Sequence, residues 1–87
     1  MNIRERIKDM GIENVVVFTE NIHDEAIVGL THDYRVVYDY DKLVKGLMTH
    51  DNLTEEQAKE WIDYNMIRSL GYVEKGPIIV YRLEEDN

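Results

Sequence analysis

Apolar residues recur along this chain in two rhythms. Ile3, Ile7 and Met10 stand at helical spacing, with Asn2 placed to cap the first turn and Gly11 to stop the helix. Val15-Val16-Val17-Phe18 is a short continuous apolar run, the pattern of a buried strand. Thr19 to Glu25 is polar and acidic and reads as a loop. Ala26 to Thr31 and Tyr34 to Tyr38 are β-prone runs separated by His32-Asp33, which predicts a hairpin with a two-residue turn. In that register Ile27 faces Tyr38, Gly29 faces Val36 and Thr31 faces Tyr34 on one side. Ala26, Val28, Leu30 and Val37 fill the other side.

The helical rhythm then returns. Asp39 or Asp41 can cap a second helix whose inner face holds Leu43, Val44, Leu47 and Met48, with Lys42 and Lys45 turned away. Gly46 inside it costs about 1 kcal/mol relative to alanine. His50 to Asn52 ends it. Thr54 caps a third helix, Gln57 completes a capping box, and Leu53 and Ala58 form the two ends of a hydrophobic staple. This should be the longest helix, running from Thr54 to Leu70 with Gly71 as its stop. Ala58, Trp61 and Ile62 face the core, with Asn65 at the centre of the apolar face and its amide satisfied by backbone. Pro77 introduces Ile78-Ile79-Val80-Tyr81 as a last strand, and Glu84 to Asn87 is expected to fray. The order α-β-β-β-α-α-β predicts an α+β two-layer sandwich: a mostly antiparallel four-stranded sheet with three helices on one face.

Eighty-seven residues make one domain, residues 1–87. Without cysteine there is no disulfide framework, no thiolate metal site and no cysteine nucleophile. The N-terminus is a charged amphipathic stretch unlike a signal peptide, so a cytoplasmic protein is expected. Without secretion, the sequon Asn52-Leu53-Thr54 is read as coincidence. Charge changes the picture more. Eighteen acids oppose ten bases, a formal charge of -8, and no lysine or arginine occurs between Lys8 and Arg35. Such a surface repels nucleic acid and favours basic partners.

Chemistry is sparse. His-Asp occurs at His23-Asp24, His32-Asp33 and His50-Asp51, each in a predicted loop. No helix carries two ligands at i, i+4, so polar turns account for these pairs better than a metal centre. The neighbouring carboxylates Asp39 with Asp41, and Glu84 to Asp86, lack a calcium-loop pattern. Ser69 is the one serine and no elbow surrounds it, and there is no glycine-rich phosphate loop. The expectation is no enzyme, no metal and no cofactor.

A more specific pattern lies on the third helix. Glu56, Glu60 and Asp63 fall on one stripe, opposite the core residues. The stripe reads either as a solvated helix face or as an acidic ridge that competes for a nucleic-acid-binding groove. The hairpin face carrying Tyr34 and Tyr38 is either packed beneath the helices or a partner site. Glu56, Glu60, Asp63, Tyr34, Tyr38, Asp24 and Glu25 are therefore the candidate partner-binding residues.

From Ala26 to Leu83 the wording resembles small acidic proteins of phages and prophages in Gram-positive bacteria. The resemblance rests on Arg35-Val36-Val37-Tyr38-Asp39-Tyr40-Asp41-Lys42, Thr54-Glu55-Glu56-Gln57-Ala58 and Trp61-Ile62-Asp63-Tyr64-Asn65. Those proteins mostly have no assigned activity, so no residue role is carried over. A glycine commonly follows the turn aspartate in that group; here Tyr34 stands instead, which weakens the tight turn. The resemblance implies a phage accessory protein in the host cytoplasm. Such a protein would inhibit a basic, nucleic-acid-binding defence protein by stoichiometric binding, as an anti-CRISPR or similar anti-defence protein does. The alternative is a structural or regulatory phage subunit that self-associates, as a homodimer for instance.

Overall fold

Strand β2, Val36–Asp39, is the middle of a three-stranded sheet in the computed structural model, which describes residues 2–12 and 14–83. The tail Glu84–Asn87 lies outside the described residues. β1, Ile27–Leu30, runs antiparallel to β2, and β3, Ile78–Val80, runs parallel to it. The class is α+β, with a mixed three-stranded sheet in place of the expected four mostly antiparallel strands. β2 runs straight into a helical crossover that returns to the same end of the sheet, and this makes β3 parallel.

The hairpin departs from the two-residue turn. Thr31 N–H donates to the carbonyl of Arg35 at 2.8 Å, and Tyr34 N–H donates to the carbonyl of Thr31 at 3.0 Å. Thr31 Oγ1 accepts from Arg35 N–H at 2.9 Å and donates to the Asp33 carboxylate, which lowers the Asp33 pKa. Three residues form the loop, and Tyr34 takes the left-handed conformation with φ 65°. The register is then Leu30 with Val36 and Gly29 with Val37, not Gly29 with Val36. An irregularity between Ile27 and Gly29 inserts Val28 and restores Ile27 opposite Tyr38. The bulge keeps both Ile27 and Leu30 on the core side, packed with Val36 and Tyr38, while Val28 is exposed.

Asp39 closes β2 and opens α2, Tyr40–Asp51, by accepting a hydrogen bond from Asp41 N–H at 2.9 Å. Leu43, Val44 and Leu47 are buried, and Asn52, left-handed at φ 56°, ends the helix. Thr54 then starts α3, Glu55–Ile62, with the expected capping box complete. The rod continues through a π turn, Asp63–Ile67, into α4, Arg68–Leu70. Its buried stripe is Ala58, Ile62 and Met66. In an α-helix every fourth residue drifts around the axis, and the wider π turn reverses that drift. Met66 therefore faces inward. Asn65, expected at the centre of the apolar face, is exposed, and its amide donates to the carbonyl of Trp61 at 3.0 Å. Trp61 itself is half-buried.

α1, Ile3–Asp9, is capped by Asn2, whose side chain accepts from Glu5 N–H at 2.9 Å, and Gly11 follows with φ 73°. The expected strand at residues 15–18 is irregular chain outside the sheet, and side chains engage both backbone groups of Phe18 at its end. Phe18 N–H donates to the Tyr38 hydroxyl at 3.0 Å, and Arg4 Nη2 donates to the Phe18 carbonyl at 2.8 Å. A short 3₁₀ segment, Asn21–Ala26, replaces the acidic loop and packs across α2.

Tyr38 thus joins the sheet to the N-terminal segment. Tyr38→Phe should cost about 1–2 kcal/mol, because the part-buried Phe18 N–H loses its acceptor. Thr54→Ala should cost roughly 1 kcal/mol through loss of the cap. Urea unfolding followed by circular dichroism measures both, and an unchanged midpoint for Tyr38→Phe would refute the anchoring role of the hydroxyl.

Candidate protein-binding surface

α3 and the turn after it form the one rigid element that carries several of the expected contact residues. Glu56, Glu60 and Asp63 are all exposed. Asp63 is the first residue of the π turn, so the change of pitch begins only at the end of the stripe. The neighbouring Glu55 is paired with Lys59 at 3.3 Å. Among the described residues no cation lies within 4.0 Å of Glu56, Glu60 or Asp63. Beyond the stripe, Tyr64 is exposed with the Arg68 guanidinium 4.5 Å above its ring.

The other candidates fare differently. Tyr38 has 0% exposure, with its ring 4.7 Å from that of Phe18 and its hydroxyl engaged, so it offers a partner no surface. Burial raises its pKa, against the opposing effect of the Phe18 hydrogen bond. Asp24 is held by Arg4 Nε at 2.7 Å, and its other oxygen is buried. That pairing is also what raises the Arg4 pKa. Both residues are structural. Glu25 is exposed and lines a groove against α2, on the far side of which stand Lys42 and Lys45. Tyr34 stands 55% exposed at the hairpin tip, in a conformation that a bulky residue rarely adopts. The hydrogen bonds among Thr31, Tyr34 and Arg35 hold the turn in this conformation.

His23 is a residue that sequence reading placed in a solvated turn and the structure places in the core. It is 3% exposed, its ring 5.7 Å from Trp61 and 6.1 Å from Phe18. Its Nδ1 has no hydrogen-bond partner among the described residues. Burial lowers its pKa, opposed by the carboxylates of Glu20, Asp51 and Asp24. Nothing local in Ile22-His23-Asp24 signals this; the aromatic neighbours arrive from distant parts of the chain.

Among the described residues no group of three or more His, Cys, Asp or Glu is placed to hold a metal ion. No described helix is long and apolar enough to cross a membrane. Comparison with protein-family models, with curated proteins and with solved structures finds no match.

The buried imidazole gives a pH signature. Its folded pKa is depressed, so its contribution to stability is full above the unfolded value of about 6.5 and is lost as pH falls toward the folded pKa. Unfolding midpoints measured from about pH 7.5 down to about 5.5 should fall for the parent and fall less for His23→Gln. Parallel slopes for the two proteins would refute the assignment. Tyr34→Gly should raise stability by about 1 kcal/mol, since glycine adopts positive φ without the Cβ clash.

Proposed function

We propose that this protein acts by stoichiometric binding, presenting the acidic stripe Glu56, Glu60 and Asp63 to a basic partner surface of the kind that holds nucleic acid. The observation that carries the reading is the unneutralised stripe on a capped, packed helix. Three carboxylates at i, i+4 and i+7 repeat along the rod at roughly the separation of successive phosphates on a nucleic-acid strand. Being fixed by the backbone, they meet a basic groove with little ordering cost. Tyr34 supplies a rigid aromatic contact from the hairpin tip, and its strained backbone is retained for that contact. In the phage setting implied by the resemblance, the partner is a host defence protein, and the protein is an anti-CRISPR or similar inhibitor. The net charge of -8 keeps the protein itself off nucleic acid and speeds its encounter with a basic target.

A second reading is favoured by the sheet. Val37 and Ile78 share the face opposite the core with Val80, and all three are only half-covered. β1 and β3 are both edge strands. A self-associating phage subunit would use this aliphatic face, since Tyr38 points the other way.

The test is capture of partners from host lysate, followed by surface plasmon resonance on the captured protein. Glu56→Lys with Glu60→Lys and Asp63→Lys should weaken binding at least about a hundredfold, or roughly 2.7 kcal/mol, and leave the circular dichroism spectrum unchanged. Tyr34→Gly should weaken binding through faster dissociation while raising stability, a pair of opposite effects that a structural role does not produce. Association of the parent should slow as salt rises. A folded lysine variant that binds like the parent overturns the acidic-stripe reading. Salt-resistant dimers in sedimentation would favour the sheet-face reading.

A further inference from the structure

Cations are scarce in this chain, and half of them are already engaged. Arg4 holds Asp24 and the Phe18 carbonyl, and Arg35 donates to the carbonyl of Gly76 at 2.9 Å. Lys59 pairs with Glu55, Arg82 lies 3.8 Å from Asp39, and Arg68 covers the ring of Tyr64. Lys42 and Lys45, like Arg6, Lys8 and Lys75, are not among these engaged cations. Among the described residues neither has a carboxylate within 4.0 Å. Both line a cavity of about 360 Å³ between α2 and the 3₁₀ segment, together with Glu25, Gly46, Thr49 and His50.

Gly46 is the second observation. Glycine in a helix interior is destabilising relative to alanine, and here the fold does not require it. Its backbone is helical and its φ is not positive. A Cβ at this position would meet only the carbonyl oxygen of Ile22, at 3.5 Å, an ordinary contact. Neither crowding nor backbone geometry accounts for the glycine. Gly46 does line the cavity, so the absent methyl group keeps the floor open beside the two lysines.

We propose that this cavity binds a small phosphomonoester, with the phosphate between Lys42 and Lys45 and a hydroxyl of the remaining part donating to Glu25. Two ammonium groups supply the charge, and the Thr49 hydroxyl and His50 imidazole add hydrogen-bonding capacity. The Glu25 carboxylate acts as the selector. It repels a second anionic group and rewards a hydroxyl donor, which favours a ligand anionic at one end and hydroxylated at the other. The cavity is an open groove lined mainly by exposed side chains, and its volume admits a small metabolite rather than a macromolecule. An extended nucleic-acid strand, anionic throughout, would meet Glu25 and the surrounding acids. The site is separate from the acidic stripe of α3 and does not rest on the function proposed for it.

The experiment is a titration followed by amide NMR at constant ionic strength, with three probes: inorganic phosphate, ribose 5-phosphate and adenosine 5′-monophosphate. Saturable shifts centred on Gly46, Thr49 and His50 are expected with at least one ester, at affinity at least tenfold above inorganic phosphate. A ribose ester equal to the nucleotide locates recognition in the sugar; a tighter nucleotide extends it to the base. Either supports the proposal. Gly46→Ala should be more heat-stable than the parent and bind the ester at least tenfold more weakly, an opposition that misfolding cannot mimic. Lys42→Gln with Lys45→Gln should abolish the shifts. Glu25→Gln should narrow the gap between ester and inorganic phosphate. Any of three results overturns the proposal: no saturable shift with either ester, undiminished affinity in Gly46→Ala, or inorganic phosphate binding as tightly as both esters.

Discussion

Tyr38 and Asp39 are consecutive residues on opposite faces of the central strand, and the other elements are placed by what these two side chains do. Tyr38 faces the helices, where its ring closes the core and its hydroxyl accepts the Phe18 N–H. Asp39 faces the other way, is almost wholly buried, caps α2 and has Arg82 at 3.8 Å. A buried carboxylate is tolerable only with such partners. The cap fixes where α2 starts, and α2 in turn presents Leu43, Val44 and Leu47 to the core. The Tyr38 hydroxyl fixes where the N-terminal segment lies. Strand alternation at one dipeptide thereby ties together the sheet, the first long helix and the irregular start of the chain.

Much of this is legible in the sequence where the cause is local. The caps at Asn2, Asp39 and Thr54 and the stop at Gly11 rest on chemistry within four residues, and all are present. The hairpin is more instructive. The Tyr34 left-handed turn adds a residue to one arm, and the Val28 bulge adds one to the other. The two departures cancel, so Ile27 meets Tyr38 as a simple two-residue turn predicts, although Gly29 does not meet Val36. A glycine at this position would suit the positive φ that Tyr34 adopts. At residues 15–18 an apolar run of four fits a strand and an irregular core-lining segment equally well. Where the rest of the fold carries the run relative to a strand edge decides between them, and that is a property of the whole fold.

The candidate surface divides along the same line. Glu56, Glu60 and Asp63 are legible because helical periodicity alone puts them opposite Ala58 and Ile62, and the capping box anchors the phase. Tyr38 is not, since period-2 alternation gives two faces without saying which one the helices cover. Asp24 stands among the sequence candidates because its partner, Arg4, lies in another element. His23 reads as a polar turn residue for the same reason. A charged or polar residue in a short segment carries no local mark of the side chain that will meet it.

The distribution of charge follows from this partition. Arg4, Arg35 and Arg82 tie segments together within the fold, and Lys59 and Arg68 sit on their own helix neighbours. Acids outnumber these cations, so the excess is exposed and the far field is negative. Near a surface the balance can still reverse. At physiological ionic strength exposed charges are screened beyond about 8 Å, so a small ion in contact with α2 responds mainly to the side chains within that range. There it meets Lys42 and Lys45 with Glu25 opposite, while Asp41 and Glu55 lie on the other side of Lys45. A macromolecule spans many such distances and meets the net charge instead. A negative far field and a local site for a small anion are therefore compatible in one acidic chain.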